Sequence, residues 1–358
     1  MPNSNTNYVD SNTWKEIISQ GNVWREALRS LATSPRIPDV LEQARGRDKW
    51  VFVGCGTSFY LAEAAALTWM SLTGQTARAL PGSEVLLYPE LVRAEGAGLQ
   101  AVVISRSGKT SEAVRAASVL RQELSVPTLG ITCAENSELE KTCDSSIVLR
   151  EADEKSTVMT RSFTSMLITL QYLAARRAGN TAFAEQLGLV AEHFEQQILS
   201  VAEKMEAFVD ANSFADYVFL GQGAFHGIAR EAALKVMEMS CSYSQFFHAL
   251  EFRHGPKAIV SPETCLTFFL GENAYKAEAE VLTEMKDLGG VILTVCNQAN
   301  ADVKSKTNLL VELNIPVHEL ALLAPSVVPA QLLGFFTGIG KGLNPDSPKN
   351  LTRVVMLD

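Results

Sequence analysis

Two turns rich in hydroxyl side chains each follow a strand-like apolar run in the first half of the chain. Gly54-Cys55-Gly56-Thr57-Ser58 follows Trp50-Val51-Phe52-Val53, and Ser105-Arg106-Ser107-Gly108-Lys109-Thr110-Ser111 follows Ala101-Val102-Val103-Ile104. Both lead into alanine-rich helical stretches. At a helix N-terminus the first backbone N–H groups lack intrahelical acceptors and the helix dipole is positive, so a phosphate or carboxylate is favoured there. Serine and threonine hydroxyls add donors, and Gly56 and Gly108 allow close backbone approach. An ordinary turn with a helix cap uses one or two hydroxyls. The second turn has four in seven residues, so Ser107, Thr110 and Ser111 are expected phosphate donors. Arg106 and Lys109 read equally as added site charge or as solvated cations.

The second half carries groups suited to proton transfer. Glu231, Lys235 and Glu238 have spacings that put them on one helix face. Their neighbours Ala232, Ala233, Leu234, Val236, Met237 and Met239 are apolar. A carboxylate partly withdrawn from water there has a raised pKa, which suits acid–base work near neutral pH; an exposed face with ordinary ion pairs is the alternative. His254, followed by Gly255-Pro256, lies at a chain turn, where its imidazole serves either proton transfer or the turn itself. A third polar cluster, Glu154 to Ser162, opens an apolar helical run and reads as a ligand-facing loop.

Two tempting nucleotide motifs fail. Gly54-Cys55-Gly56-Thr57-Ser58-Phe59 lacks the third glycine of a dinucleotide fingerprint, and Val103 stands where a P-loop needs its leading glycine. The six cysteines form no Cys-x-x-Cys pair and read as buried thiols, and the five histidines show no metal spacing. No metal and no cofactor is expected.

These groups must be held by a regular scaffold. Strand-like runs at 50–53, 101–105, 128–133, 146–149, 217–220, 265–270, 291–296 and 309–313 alternate with helical stretches. That pattern predicts parallel βαβ units in a doubly wound α/β fold. The chain also repeats: Val51-Phe52-Val53-Gly54-Cys55-Gly56 and Val218-Phe219-Leu220-Gly221-Gln222-Gly223 stand 167 residues apart, and the offset holds as far as Ala65-Ala66-Leu67 and Ala232-Ala233-Leu234. The second copy has Ala224 and Phe225 where the first has Thr57 and Ser58, so the first is expected to bind phosphate. The predicted organisation is an N-terminal helical segment at 1–40 packed on the first domain, domain 1 at 41–195, and domain 2 with a C-terminal tail at 196–358. A helical joint falls within 185–210.

The 358 residues carry a net charge of −9, which argues against nucleic acid as a partner. No apolar run is expected to approach the about 20 residues that span a bilayer, and the start lacks a signal pattern, so neither a membrane nor export is expected and the cytoplasm is the natural location.

From about residue 45 to the C-terminus the chain resembles the sugar isomerase (SIS) family, nearest to the isomerase half of glucosamine-6-phosphate synthase and its stand-alone relatives. The motifs are Cys55-Gly56-Thr57-Ser58, Ser105-x-Ser-Gly-x-Thr110, Ala233-Leu234-Lys235-x-x-Glu238, His254-Gly255-Pro256 and Pro348-Lys349-Asn350-Leu351. The resemblance implies two tandem flavodoxin-like SIS domains, each a parallel sheet with helices on both faces, in a homodimer. It implies a hexose-phosphate substrate bound by Thr57, Ser58, Ser105, Ser107, Thr110, Val158 and Thr160. It makes Glu238 the C1/C2 base and His254, from the neighbouring subunit, the ring opener, with Lys235 and Glu231 in support. Three departures matter. Residue 2 is proline and no glutaminase domain stands before the repeat, so glutamine-dependent amination is not expected. Arg106 and Lys109 replace a glutamine and a glutamate of the synthase pattern. Arg353 aligns with the lysine able to form a Schiff base, and arginine stays protonated. The expected chemistry is isomerisation coupled to loss of an amine. A fructosamine-6-phosphate deglycase, a synthase-like aminotransferase with another ammonia source, and a sugar-phosphate sensor are the alternatives.

Overall fold

The computed structural model describes residues 8–357; the leader reading at residues 1–5 lies outside them. Ten strands form two five-stranded parallel sheets. The first contains β1 (Lys49–Gly54), β2 (Thr76–Pro81), β3 (Leu99–Ile104), β4 (Thr128–Thr132) and β5 (Ser145–Val148), in spatial order β2-β1-β3-β4-β5. The second contains β6 (Asp216–Gly221), β7 (Ser244–Phe247), β8 (Thr264–Leu270), β9 (Val291–Cys296) and β10 (Leu309–Glu312), in the corresponding order β7-β6-β8-β9-β10. This is the flavodoxin-like 2-1-3-4-5 order, which places a switch point between the first and third strands.

The repeat is built into the backbone. β1 and β6 are offset by 167 residues at both ends, as are the helices that follow them, Thr57–Thr73 and Ala224–Ser240. Each helix starts after a glycine in the same unusual conformation: Gly56 has φ 55°, ψ −126°, and Gly223 has φ 55°, ψ −130°. Only glycine adopts that backbone cheaply.

The central strands are apolar throughout because both faces are covered. On β1, Val51 and Val53 join a core cluster with Val85, Ala113 and Ala116, from helices on one face. Trp50 and Phe52 pack on Trp69 of the helix Thr57–Thr73, on the other. The sequence reading missed β2 and β7. Both are edge strands, TARALP and SQFF, with no apolar run to betray them.

The chain divides into two compact units. A first-sheet unit comprises Asn22–Glu154, Arg161–Gly188 and the described part of Thr352–Asp358. A second-sheet unit comprises the described part of Met1–Gly21, Lys155–Thr160 and Leu189–Leu351. The helix Thr181–Asp210 carries the chain from one to the other. Residues 8–21, expected on the first domain, thus belong with the second sheet. Polar and aromatic contacts both hold them there: Asp346 accepts from Asn12 N (2.8 Å) and from Thr13 N and Oγ1 (2.7 Å each), Gln20 Nε2 donates to Gln331 Oε1 at 2.8 Å, and Tyr8 and Trp14 pack on Phe335 and Phe336.

The expectation that no apolar run approaches a bilayer span needs correction. Glu319–Gly340 is 22 residues long, and the apolar window within it has a mean hydropathy of 1.7. It comprises the 3-10 turn Glu319–Leu322 and the helix Leu323–Gly340, and every residue of its apolar window is buried within the second-sheet unit. A helix buried on all sides has no need of a polar stripe. Gly334 permits this packing, since a Cβ there would lie 2.8 Å from the Lys235 carbonyl oxygen.

Candidate functional site

In the first-sheet unit both hydroxyl turns lie at the carboxyl ends of adjacent strands, β1 and β3. Thr57 and Ser58 form the buried first turn of the helix Thr57–Thr73. Gly54 makes this possible: a Cβ there would lie 2.7 Å from Phe59 N. In the second turn, Ser105 is buried and its Oγ lies 3.4 Å from Thr110 Oγ1. Gly108 has φ 59°, and a Cβ there would crowd Ser137 and lie 2.9 Å from Thr132 Oγ1. Ser107 Oγ accepts from Lys109 N at 3.2 Å, closing the loop on itself. Thr110 stands at the N-cap of the helix Ser111–Ser118 without spending its hydroxyl as a cap. Backbone amides, hydroxyls and a helix N-terminus therefore stand at the ends of two adjacent strands, an arrangement that suits an anion.

The second copy has lost the equivalent space. The Phe225 ring packs on Gly271, where an added Cβ would meet Phe225 Cε2 at 3.1 Å and Glu319 Oε2 at 2.9 Å. Glu278 lies nearby, 1% exposed, with Oε2 accepting from Gly271 N at 3.1 Å and Oε1 without a hydrogen-bond partner. Burial pushes this carboxyl up to about 8. An aromatic plug beside buried carboxyls leaves nothing to hold a phosphate.

Arg106 and Arg353 differ in setting from the rest of the cradle. Arg106 is 4% exposed, and its Nη1 lies 3.5 Å from Oε2 of the fully buried Glu154. Its Nη2 donates to the Arg353 carbonyl at 3.1 Å. Its charge is thus matched inside the protein. Arg353 pairs with Asp153 at 2.7 Å, and both are partly exposed. Glu154 opens the third polar cluster, and its part is to neutralise Arg106, since a buried arginine needs such a partner. In the same unit, Val355 O accepts from Ser111 N at 3.2 Å and Leu357 N donates to Ser111 Oγ at 3.0 Å. The final residues thereby run along the start of the helix Ser111–Ser118, a contact that no local pattern announces. Cys55 is no activated thiol: burial, and then Glu112, push it up to about 11.

The acid–base trio lies in the second-sheet unit on the helix Ala224–Ser240. Lys235 and Glu231 side chains are 0% exposed, with Nζ 3.3 Å from Glu231 Oε1. Lys235 also donates to Glu238, whose side chain is 18% exposed. Burial acts to lower the Lys235 pKa, but Glu231 and Glu238 outweigh it and raise it, so the ammonium is secure. The same unit holds Val158 and Thr160, both buried, in the loop Lys155–Thr160. His254 is exposed at the end of a 3-10 turn, with its N donating to Glu251 O at 3.0 Å. The hydroxyl turns, Arg106 and Arg353 thus belong to the first-sheet unit, and Glu231, Lys235, Glu238, His254, Val158 and Thr160 to the second-sheet unit, where Glu231, Lys235 and Glu238 are in direct contact. Among the described residues no cluster of metal-ligating side chains occurs.

Comparison with known proteins bears on the family and the fold. The model of the SIS domain family matches residues 45–176 and 215–335. The solved structure of glucosamine-6-phosphate deaminase from Thermotoga maritima is 31% identical, with a TM-score of 0.77 over 97% of this chain and 100% of that one. A Streptomyces coelicolor protein provisionally named D-galactosamine-6-phosphate deaminase is 29% identical over 94% of this chain and 91% of its own length. The glutamine–fructose-6-phosphate aminotransferase (isomerizing) of Pyrobaculum aerophilum is 28% identical over 86% of this chain, which spans about half (51%) of that relative.

Proposed function

The chain belongs to the SIS domain family, and from that premise we propose that it is a sugar-phosphate isomerase–deaminase acting on an amino-hexose 6-phosphate. The phosphate rests on the amides and hydroxyls of Gly56, Thr57, Ser58, Ser105, Ser107 and Thr110. His254, supplied by the neighbouring subunit of a homodimer, helps open the sugar ring. Glu238 takes the C2 proton and returns it to C1, converting the 2-amino aldose to a ketose imine through an enolamine. Water adds to the imine carbon and ammonia leaves, so amino sugar phosphate and water give ketose phosphate and ammonia. Arg353 offers no amine for a Schiff base, so water attacks the substrate's own imine.

The observation that carries this reading is the Glu231–Lys235–Glu238 trio. Lys235 and Glu231 are wholly buried, and Glu238 alone reaches the surface. A carboxylate held by a buried ammonium and open at one edge is suited to proton transfer. A sugar-phosphate sensor needs the phosphate cradle but not this trio. The named deaminases among the relatives support the same direction. The test is a panel of glucosamine, galactosamine and tagatose 6-phosphates and glycated amino-acid phosphates, assayed for ammonia and ketose with the wild type and Glu238→Gln. Turnover lost with binding kept supports the assignment; unchanged turnover in Glu238→Gln refutes Glu238 as the base. Ammonium supplied with fructose 6-phosphate tests the reverse, amination reaction, which the named aminotransferase relative favours.

A further inference from the structure

We propose that Glu16 is a positioning residue for substrate recognition, because its buried carboxylate fixes the loop Lys155–Thr160 that carries Val158 and Thr160. The inference rests on the functional reading above, in which that loop contacts the sugar. Glu16 lies on the helix Asn12–Ile18 and is 3% exposed. Its Oε1 accepts from Lys155 N at 2.5 Å and from Ser156 N at 3.3 Å, and the Ser156 hydroxyl donates to Oε2. A carboxylate taken out of water needs such donors, and three from two successive residues leave the backbone little freedom there.

The rest of the loop is held from the same quarter. Thr157 N donates to the Asp346 carbonyl at 3.0 Å, while the Asp346 carboxylate caps the start of the Glu16 helix through Asn12 and Thr13. The Thr160 carbonyl accepts from Gln331 Nε2 at 3.3 Å, and Gln331 in turn accepts from Gln20. Every one of these groups lies in the second-sheet unit. Val158 and Thr160 are buried, at 2% and 0% exposure, so their placement follows the main chain that carries them. The segment Asn12–Gln20 thereby acts as part of the site's frame.

The test compares Glu16→Gln and Ser156→Ala with the wild type, using the full chain. Glu16→Gln opposes an amide NH2 to backbone donors. Ser156→Ala removes one donor without that mismatch and serves if the glutamine variant folds poorly. We expect kcat/KM for the hexose 6-phosphate to fall about ten- to a hundredfold in Glu16→Gln and less in Ser156→Ala, as expected for misplacement of a bound substrate. Competitive inhibition by inorganic phosphate, which reads the hydroxyl turns of the first-sheet unit, should stay within about twofold. Amide exchange should rise at 155–157 and not in β6 and β8. If both variants keep kcat/KM within about twofold, or if phosphate inhibition and turnover fall together, the positioning role is refuted. If the wild type turns over no hexose phosphate, the functional reading fails first and this inference falls with it.

Discussion

Replacing Lys235 with methionine tests the central charge arrangement. Methionine keeps the unbranched apolar stem and removes the ammonium. Glu231, at 0% exposure, then loses the cation 3.3 Å from its Oε1, and Glu238 loses its donor. Breaking a buried pair by removing one partner costs about 3–5 kcal/mol, because the remaining charge stays buried without compensation. At about 1.4 kcal/mol per tenfold, the folded-to-unfolded ratio falls by roughly two to three and a half orders of magnitude. Glu231→Gln in the same chain removes the stranded charge, and a neutral buried pair is expected to recover most of the loss. The assay is urea unfolding of the wild type, Lys235→Met, Glu231→Gln and the double variant, monitored by circular dichroism. A double-mutant cycle then gives the coupling directly. The reasoning fails if Lys235→Met costs less than about 1 kcal/mol, or if the double variant is no more stable than Lys235→Met. Under the proposed mechanism both lysine variants also lose turnover, since Glu238 is no longer held.

Three further outcomes follow from the same structure. Thr110→Val or Ser107→Ala should raise KM for the sugar phosphate about tenfold to a hundredfold with a smaller change in kcat, because a hydrogen bond to a charged group contributes about 1.5–3 kcal/mol; steady-state kinetics decide it. Glu278 is protonated in the fold up to about pH 8, against 4.5 for its ordinary value, so its contribution is full below pH 4.5 and is lost as the pH rises to about 8. Glu278→Gln should flatten that decline and be the more stable protein at pH 8.5, by up to about 5 kcal/mol from the pKa difference; urea midpoints across pH 4.5–8.5 report it, and parallel curves refute it. Arg106→Met should destabilise the first-sheet unit by about 3–5 kcal/mol by stranding Glu154, whereas a solvent-facing ligand arginine would raise KM with little loss in unfolding measurements.

The amino-acid sequence by itself determined the parts whose signal is local. Apolar runs such as Ala101–Ile104 become central parallel strands because they must be buried on both faces. Gly56 and Gly223, spaced by the repeat, fix identical strand-to-helix turns. The i, i+4 and i+3 steps from Glu231 to Lys235 and Glu238 place three charges together on any helix, and the structure adds how deeply they are buried. The tertiary structure alone decided the parts that depend on partners distant in the chain. Arg106 carries no mark of the buried Glu154 that neutralises it, since a cation in a turn reads the same whether solvent or a carboxylate awaits it. β2 and β7 pair at sheet edges and so need little apolar character. Glu16 and Asp346, 330 positions apart, are joined to one loop by hydrogen bonds that no periodicity encodes. Which groups bear charge, and at what local spacing, is written in the chain; which of those charges are satisfied internally is settled only when distant segments pack.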